Sequence, residues 1–247
     1  MAAAFTGLIS VKRVLAVILM MATHSLGADT PPERAAMLAA IRHSVSDSAD
    51  YTGRSQLSER VMAAMASVPR EEFVLPRYRH LAYDNTPLPI EAGQTISQPL
   101  IVALMTDLLD PQPGDRMLEV GTGSGYQAAV LATLVEHVYS VEIVGELAAS
   151  AAAVLARLGY DNVTVRAGDG YAGWPQHAPF DGIIVTAAAP EIPPPLLEQL
   201  KPGGKLVIPV GAEHGYQELM LVEMGAGGEV LKRSVLPVRF VPLTGER

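Results

Sequence analysis

MLEVGTGSGYQAAVLATLVEHVYSVE, residues 117–142, is the stretch whose reading decides the fold. Met117 to Val120 is short and mostly apolar, as a buried strand would be. Gly121, Gly123 and Gly125 follow at alternate positions. Glycine lets the backbone turn sharply and lets a ligand approach main-chain N–H groups. Tyr126 to Val135 reads as a helix, and Val138 to Val141 as a second strand that ends on Glu142. Strand, glycine turn, helix, strand and acid, in that order, form a βαβ unit of a parallel sheet.

The alternation continues beyond Glu142. Leu147 to Leu158 is an Ala-rich helix closed by Gly159, the usual residue past a helix end. Val163 to Arg166, Gly182 to Thr186 and Lys205 to Pro209 are further strands, with a short helix over Leu196 to Leu200. Gln217 to Val222 and Glu229 to Val241 read as antiparallel strands around a Gly225–Gly228 turn. Upstream, Pro111-Gln-Pro-Gly-Asp115 is a turn. Residues 32–42, 55–67 and Pro99 to Leu109 read as helices, and Pro69 starts a shorter one. Residues 82–97 hold Pro87, Pro89 and Gly93 and read as loop or short extended pieces. The expected fold is α/β: a doubly wound, mostly parallel, Rossmann-like sheet with an N-terminal helical segment and C-terminal antiparallel strands.

Composition narrows the chemistry. Nearly half of the 247 residues are hydrophobic, so a sizeable core can be buried. The net charge of −8 offers no basic stripe for a nucleic-acid backbone, and no nucleic-acid partner is expected. There is no cysteine, which removes disulfides, thiolate metal sites and thiol nucleophiles. The six histidines are scattered without an H-x-x-x-H pair, so no metal site is expected.

Glu142 lies twenty-one residues after Gly121, at the end of the second strand. A carboxylate there can accept both ribose hydroxyls of a nucleoside. Two ligand classes stay open on these residues. A dinucleotide fingerprint wants Gly or Ala where Tyr126 stands, and Glu119 would repel a pyrophosphate. S-adenosylmethionine carries a sulfonium and an ammonium and no phosphate, so an acid at position 119 suits it better. Asp169, in Gly168-Asp-Gly170 after the third strand, is placed to accept a hydrogen bond from an adenine amino group, although Asp-Gly is also an ordinary turn.

From about Tyr51 to Leu243 the chain resembles the protein-L-isoaspartate O-methyltransferase family. The resemblance is carried by Val68-Pro-Arg-Glu71, Pro87-Leu-Pro-Ile90, Gly93-Gln-Thr-Ile-Ser-Gln-Pro99, Leu118-Glu-Val-Gly-Thr-Gly-Ser-Gly-Tyr126, Gly168-Asp-Gly170 and Phe240-Val-Pro-Leu243. Gln94-Thr-Ile-Ser97 is the most specific of these. The resemblance implies methyl transfer from S-adenosylmethionine to the α-carboxylate of L-isoaspartyl residues in damaged proteins and peptides, with S-adenosylhomocysteine as co-product. The methyl ester then closes to a succinimide, which starts repair.

Carried over, Ser97 is the active-site hydroxyl and also touches the acceptor. Gln94, Thr95, Ile96, Glu119, Gly121, Thr122 and Gly123 hold the donor, with Glu142 on its ribose and Asp169 and Gly170 on its adenine. Thr186, Ala187, Val241, Pro242 and Leu243 lie near the acceptor. A methyltransferase with another small-molecule or protein acceptor is the alternative. Ser97 could instead cap the helix beginning at Pro99. Trp174 is expected as a core or rim aromatic; His80, His137, His177 and His214 as surface or structural; and Arg70 and Arg77 as solvated.

Three parts are expected: a leader over 1–28, a helical part over 29–110 carrying the acceptor loop, and the donor-binding core over 111–247, with 29–247 as one catalytic domain. Lys12 and Arg13, the apolar run Val14 to Ala22 and the small residues Ser25, Gly27 and Ala28 have the order of an export signal. Because the donor is made in the cytoplasm, residence there is expected, with export to the periplasm as the alternative. No stable membrane partner is expected.

Overall fold

The computed structural model describes residues 31–212 and 215–245. The leader and His214 lie outside these residues. Four helices open the described chain: α1 (Pro32–Asp47), α2 (Ala49–Thr52), α3 (Glu59–Ser67) and α4 (Pro99–Leu109). Between α3 and α4 lies an antiparallel ribbon of β1 (Leu88–Pro89) and β2 (Thr95–Ile96). The alternating part follows as β3 (Arg116–Val120), α5 (Tyr126–Ala132), β4 (His137–Glu142), α6 (Gly145–Arg157), β5 (Val163–Ala167), β6 (Phe180–Val185) and α7 (Pro194–Glu198). It ends with β7 (Leu200–Gly211), β8 (Gln217–Met224) and β9 (Val230–Val238).

These seven strands form one sheet in the order β5-β4-β3-β6-β7-β8-β9. The first five are parallel; β8 and β9 are antiparallel additions. The expected doubly wound sheet with antiparallel C-terminal strands is therefore present. Strand order reverses at β3 and β6, so the ligand crevice opens at the carboxyl ends of these strands.

Side-chain alternation on β3 explains why both sheet faces are covered. Met117 joins a core shared with Met37, Ile41, Met65, Leu104 and Leu131 of the helices. Leu118 and Val120 face the other way, onto Ile183, Leu196, Ile208 and Phe180. The N-terminal helices thus share one core with the sheet.

Element ends differ from the periodic reading where side chains intervene. The helix expected from residue 55 begins at Glu59, because Ser58 caps it through Oγ, which accepts the Val61 N–H at 3.3 Å. The helix expected to Val135 ends at Ala132, where the Thr133 hydroxyl donates to the Val130 carbonyl at 2.8 Å. β7 starts five residues before Lys205, because Leu200 already pairs with Phe180.

Asp107 on α4 ties the helical part together. Its nearly buried carboxylate accepts the Ser58 N–H at 2.7 Å and pairs with Arg54 at 2.7 Å. Replacing it leaves both groups without their partner. Asp107→Ala is expected to lower unfolding stability by about 1–2 kcal/mol in urea titration, mainly by leaving the Ser58 N–H without its acceptor, since Arg54 is partly exposed and can be hydrated. A loss of a few tenths would show that the pair is not structural.

Candidate active site

The strand ends create the site. β3 runs out at Val120 and the chain turns through Gly121, where φ is +95°. A Cβ on Gly121 would lie 2.4 Å from Oγ1 of Thr186, so only glycine fits. Thr186, just past β6, donates its hydroxyl to the Gly121 carbonyl at 2.5 Å. Glu142, at the end of β4, fixes the far side of the turn. Its carboxylate accepts the Gly123 N–H at 2.8 Å and the Val144 N–H at 2.9 Å, and it is 6% exposed. Lone pairs on both oxygens remain for hydroxyl donors.

A single cavity lies over these turns. It is lined by Val120 to Ser124, Glu142 to Val144 and Gly170. Gln94, Thr95, Ile96 and Ser97 line it too, with Thr186 and Ala187. Val241, Pro242, Leu243 and Thr244 complete the wall. This tail is held by main-chain bonds: Ala188 N–H donates to Val241 O, and Leu243 N–H to Ala188 O, both at 2.8 Å. Fourteen of the sixteen candidate residues named from the sequence thus meet at one cavity.

Glu119 and Asp169 do not line it. Alternation turns Glu119 onto the helix-covered face of β3, where it is fully buried. There Ser140 donates to its Oε2, and the Thr122 and Ser140 hydroxyls are 2.6 Å apart. Its Oε1 has no hydrogen-bond partner among the described residues. Burial, reinforced by the Glu142 charge, pushes its pKa up to about 8, against the pull of the Ser140 hydrogen bond. At neutral pH this acid holds a proton, so its first effect is on the turn above it through Ser140 and Thr122. Asp169 accepts the Tyr171 N–H at 2.9 Å and packs under the tail: a Cβ on Gly245 would meet its Oδ1 at 2.2 Å.

Other expectations sort as follows. Ser97 is not the cap of α4; Asn85 takes the Leu100 N–H instead, at 2.9 Å. Trp174 packs away from the cavity, against Tyr139 and under the Arg166 guanidinium at 4.3 Å. His177 stacks on Tyr139, His137 bonds Thr164 at 2.9 Å, and His80 is exposed. Arg77 is exposed, but Arg70 is not solvated. It is fully buried, donates to Ala82 O at 2.8 Å and lies 4.8 Å from the Tyr126 ring centre. Burial lowers its pKa to about 10.

The sequence reading missed Ile143 and Gln127. Ile143 is an apolar residue 43% exposed at the cavity; its place directly after Glu142 was a usable signal. Gln127 also lines the cavity and donates to Thr106 of α4 at 2.9 Å, a contact no local pattern marks.

The residues fit S-adenosylmethionine. A glycine turn that a Cβ would block and a carboxylate at the end of the neighbouring strand, with lone pairs left for hydroxyl donors, match a nucleoside donor of this kind. Fold and site together define a Rossmann-like methyltransferase.

Comparison with known proteins narrows this class. Residues 50–247 match the family model described as protein-L-isoaspartate(D-aspartate) O-methyltransferase. Protein-L-isoaspartate O-methyltransferase 2 of Syntrophobacter fumaroxidans is 56% identical over 235 residues, covering 94% of this chain and 95% of that protein. The protein of the same description from a Polaromonas species is 58% identical, over 85% of this chain and its whole own length. Among solved structures, one protein-L-isoaspartate O-methyltransferase aligns at TM-score 0.74 and 29% identity, covering 86% of this chain and 66% of that one. A Plasmodium falciparum structure described as the same enzyme, in complex with S-adenosyl-L-homocysteine, aligns at TM-score 0.69 and 27% identity, covering 85% of this chain and 97% of that one. The chain belongs to the protein-L-isoaspartate O-methyltransferase family, whose members use S-adenosylmethionine.

Glu119 gives a testable sign. Folding raises its pKa from the ordinary 4.5 to about 8, so folding takes up a proton between these values. This contribution favours the fold most below pH 4.5 and turns against it as pH rises toward about 8. Glu119→Gln has no such proton to lose. Its melting temperature relative to wild type is expected to climb between about pH 5.5 and 8. Parallel melting curves across that range would refute the burial argument.

Proposed function

We propose that this enzyme methylates the α-carboxylate of L-isoaspartyl residues, with Ser97 orienting the acceptor and the Gly121–Gly123 turn, Glu142 and Gly170 holding the donor. The observation that carries the reading is the cavity itself, which Gln94–Ser97 and the glycine turn line together. S-adenosylmethionine supplies a methyl group on a sulfonium; the carboxylate oxygen bonds to it as the carbon–sulfur pair leaves with sulfur.

The acceptor is ionised at neutral pH, so the chain need not supply a general base. Its work is alignment and exclusion of water. Two charged reactants become neutral products, and water favours the reactants. A closed site therefore helps, and alignment can contribute up to about 7–11 kcal/mol. Ser97 is half-buried at the cavity, and no α4 amide claims its hydroxyl as a cap. It donates to one carboxylate oxygen while the other attacks. Glu142 accepts from the ribose with the lone pairs left by Gly123 and Val144.

The tail from Val241 to Leu243 covers the acceptor side. Gly170 meets the adenine at the cavity wall, Asp169 holds that turn through the Tyr171 N–H, and Glu119 acts on the methionine end through Thr122.

Ser97→Ala is expected to lower kcat on an isoaspartyl peptide more than tenfold with little change in S-adenosylhomocysteine affinity, and the matched aspartyl peptide should stay unlabelled. Wild-type turnover in the variant would remove the orienting role. Equal labelling of both peptides would point to the broader alternative, a methyltransferase with another acceptor.

Among the described residues no helix is long and apolar enough to cross a membrane. The donor is made in the cytoplasm, and we infer that the enzyme works there. Intact mass spectrometry is expected to find residues 1–28 retained; cleavage near Ala28 would assign export instead.

A further inference from the structure

Ser97 can orient an acceptor only if the segment that carries it is held still. β2 ends at Ile96 and α4 starts at Pro99, so Ser97 sits in a two-residue joint. A joint before a helix is steadied when the first free N–H groups of the helix find acceptors. Gln98, the residue at the cap position, supplies no side-chain cap. The acceptor comes from thirteen residues upstream: Asn85 Oδ1 takes the Leu100 N–H at 2.9 Å. The joint also holds Asn85 in return, since Gln98 Nε2 donates to the Asn85 carbonyl at 2.9 Å. The two bonds close a clasp around Ser97.

The turn that presents Asn85 is itself anchored. Arg70 is fully buried, and no carboxylate pairs with it among the described residues. A buried cation without a counter-charge is unfavourable unless its N–H groups are satisfied. Arg70 donates to Ala82 O at 2.8 Å and toward Thr86 O at 3.4 Å, one on each side of Asn85, while its Nη1 has no hydrogen-bond partner among the described residues. Its flat face covers the ring of Tyr126, the first residue of α5 after the glycine turn. One guanidinium thus spans the acceptor segment and the donor turn.

We propose that Asn85 is a positioning residue for methyl transfer, clasping the Ser97 joint to α4, with Arg70 fixing the turn that presents it. The proposal rests on the acceptor role given to Ser97 above, but its structural half can be read without any acceptor. Neither side chain needs to touch substrate. Asn85→Asp keeps an oxygen for the Leu100 N–H and places a negative charge at a helix start, which is favourable. Asn85→Ala removes the acceptor and nothing else that Asn85 bonds by its side chain.

The test compares wild type, Asn85→Ala, Asn85→Asp and Arg70→Lys. For each, kcat and KM are measured with an isoaspartyl peptide, affinity for S-adenosylhomocysteine by calorimetry, and hydrogen exchange over residues 97–101 and 119–126. Asn85→Ala is expected to lower kcat/KM for the peptide by about tenfold, a loss of alignment. S-adenosylhomocysteine affinity should stay within about twofold, with faster exchange confined to 97–101. Asn85→Asp should restore both. Arg70→Lys keeps the charge but lacks the fork that reaches both carbonyls; because Arg70 also covers Tyr126 beside the glycine turn, it should lower kcat/KM for the peptide and speed exchange over both 97–101 and 119–126.

Unchanged peptide kinetics in Asn85→Ala would overturn the proposal. So would an Asn85→Asp as impaired as the alanine variant, or a parallel loss of S-adenosylhomocysteine binding. If wild type itself ignores isoaspartyl peptides, the acceptor reading fails; unchanged exchange over 97–101 in Asn85→Ala would separately dispose of the clasp.

Discussion

The carboxylate of Glu142 accepts two main-chain N–H groups, one from Gly123 and one from Val144. This pair of bonds is where the sheet becomes a site. It joins the turn after β3 to the turn after β4, two segments that separate strands would otherwise leave to move independently. Each N–H lies near a chain reversal that would leave it without a helix or strand partner. A charged acceptor makes such bonds shorter and stronger than a neutral one would. Thr186 performs the matching task on the β6 side, giving its hydroxyl to the Gly121 carbonyl. The glycine turn is therefore braced from both neighbouring strands before any ligand arrives.

That bracing separates two kinds of acid in the site. Glu142 has an amide N–H donor on each of its oxygens. Glu119, one strand over and buried, has a single hydroxyl donor and is pushed toward its neutral form. Two glutamates on neighbouring strands thus meet different partners.

Much of this was legible in the sequence, for reasons that can be named. The βαβ order from Met117 to Glu142 showed because each element is short, periodic and punctuated by glycine. Gln94–Ser97 showed because its residue types match a family pattern. What stayed hidden depends on long-range contacts. Nothing local marks Arg70 as buried, since Pro-Arg-Glu-Glu is an ordinary exposed helix start; its environment is built by the carbonyls of residues 82 and 86 and the ring of Tyr126. The cap of α4 was sought in Ser97 because caps are usually adjacent, whereas the acceptor comes from Asn85. Glu119 was read as facing the ligand; one residue of strand alternation turns it inward.

The tail strand has a consequence for how the site comes into being. Val241 and Leu243 bond to Ala188, and β9 must first pair with β8 for residues 240–243 to reach it. The wall they form closes on a glycine turn more than a hundred residues earlier in the chain. Contacts so distant in sequence carry a large loop-closure entropy and tend to form late. During synthesis the ribosome releases the glycine turn, Glu142 and the Gln94–Ser97 segment well before this wall. A nascent chain can thus assemble most of its sheet while the pocket stays open on one side, and competence for catalysis is acquired in the final step of folding.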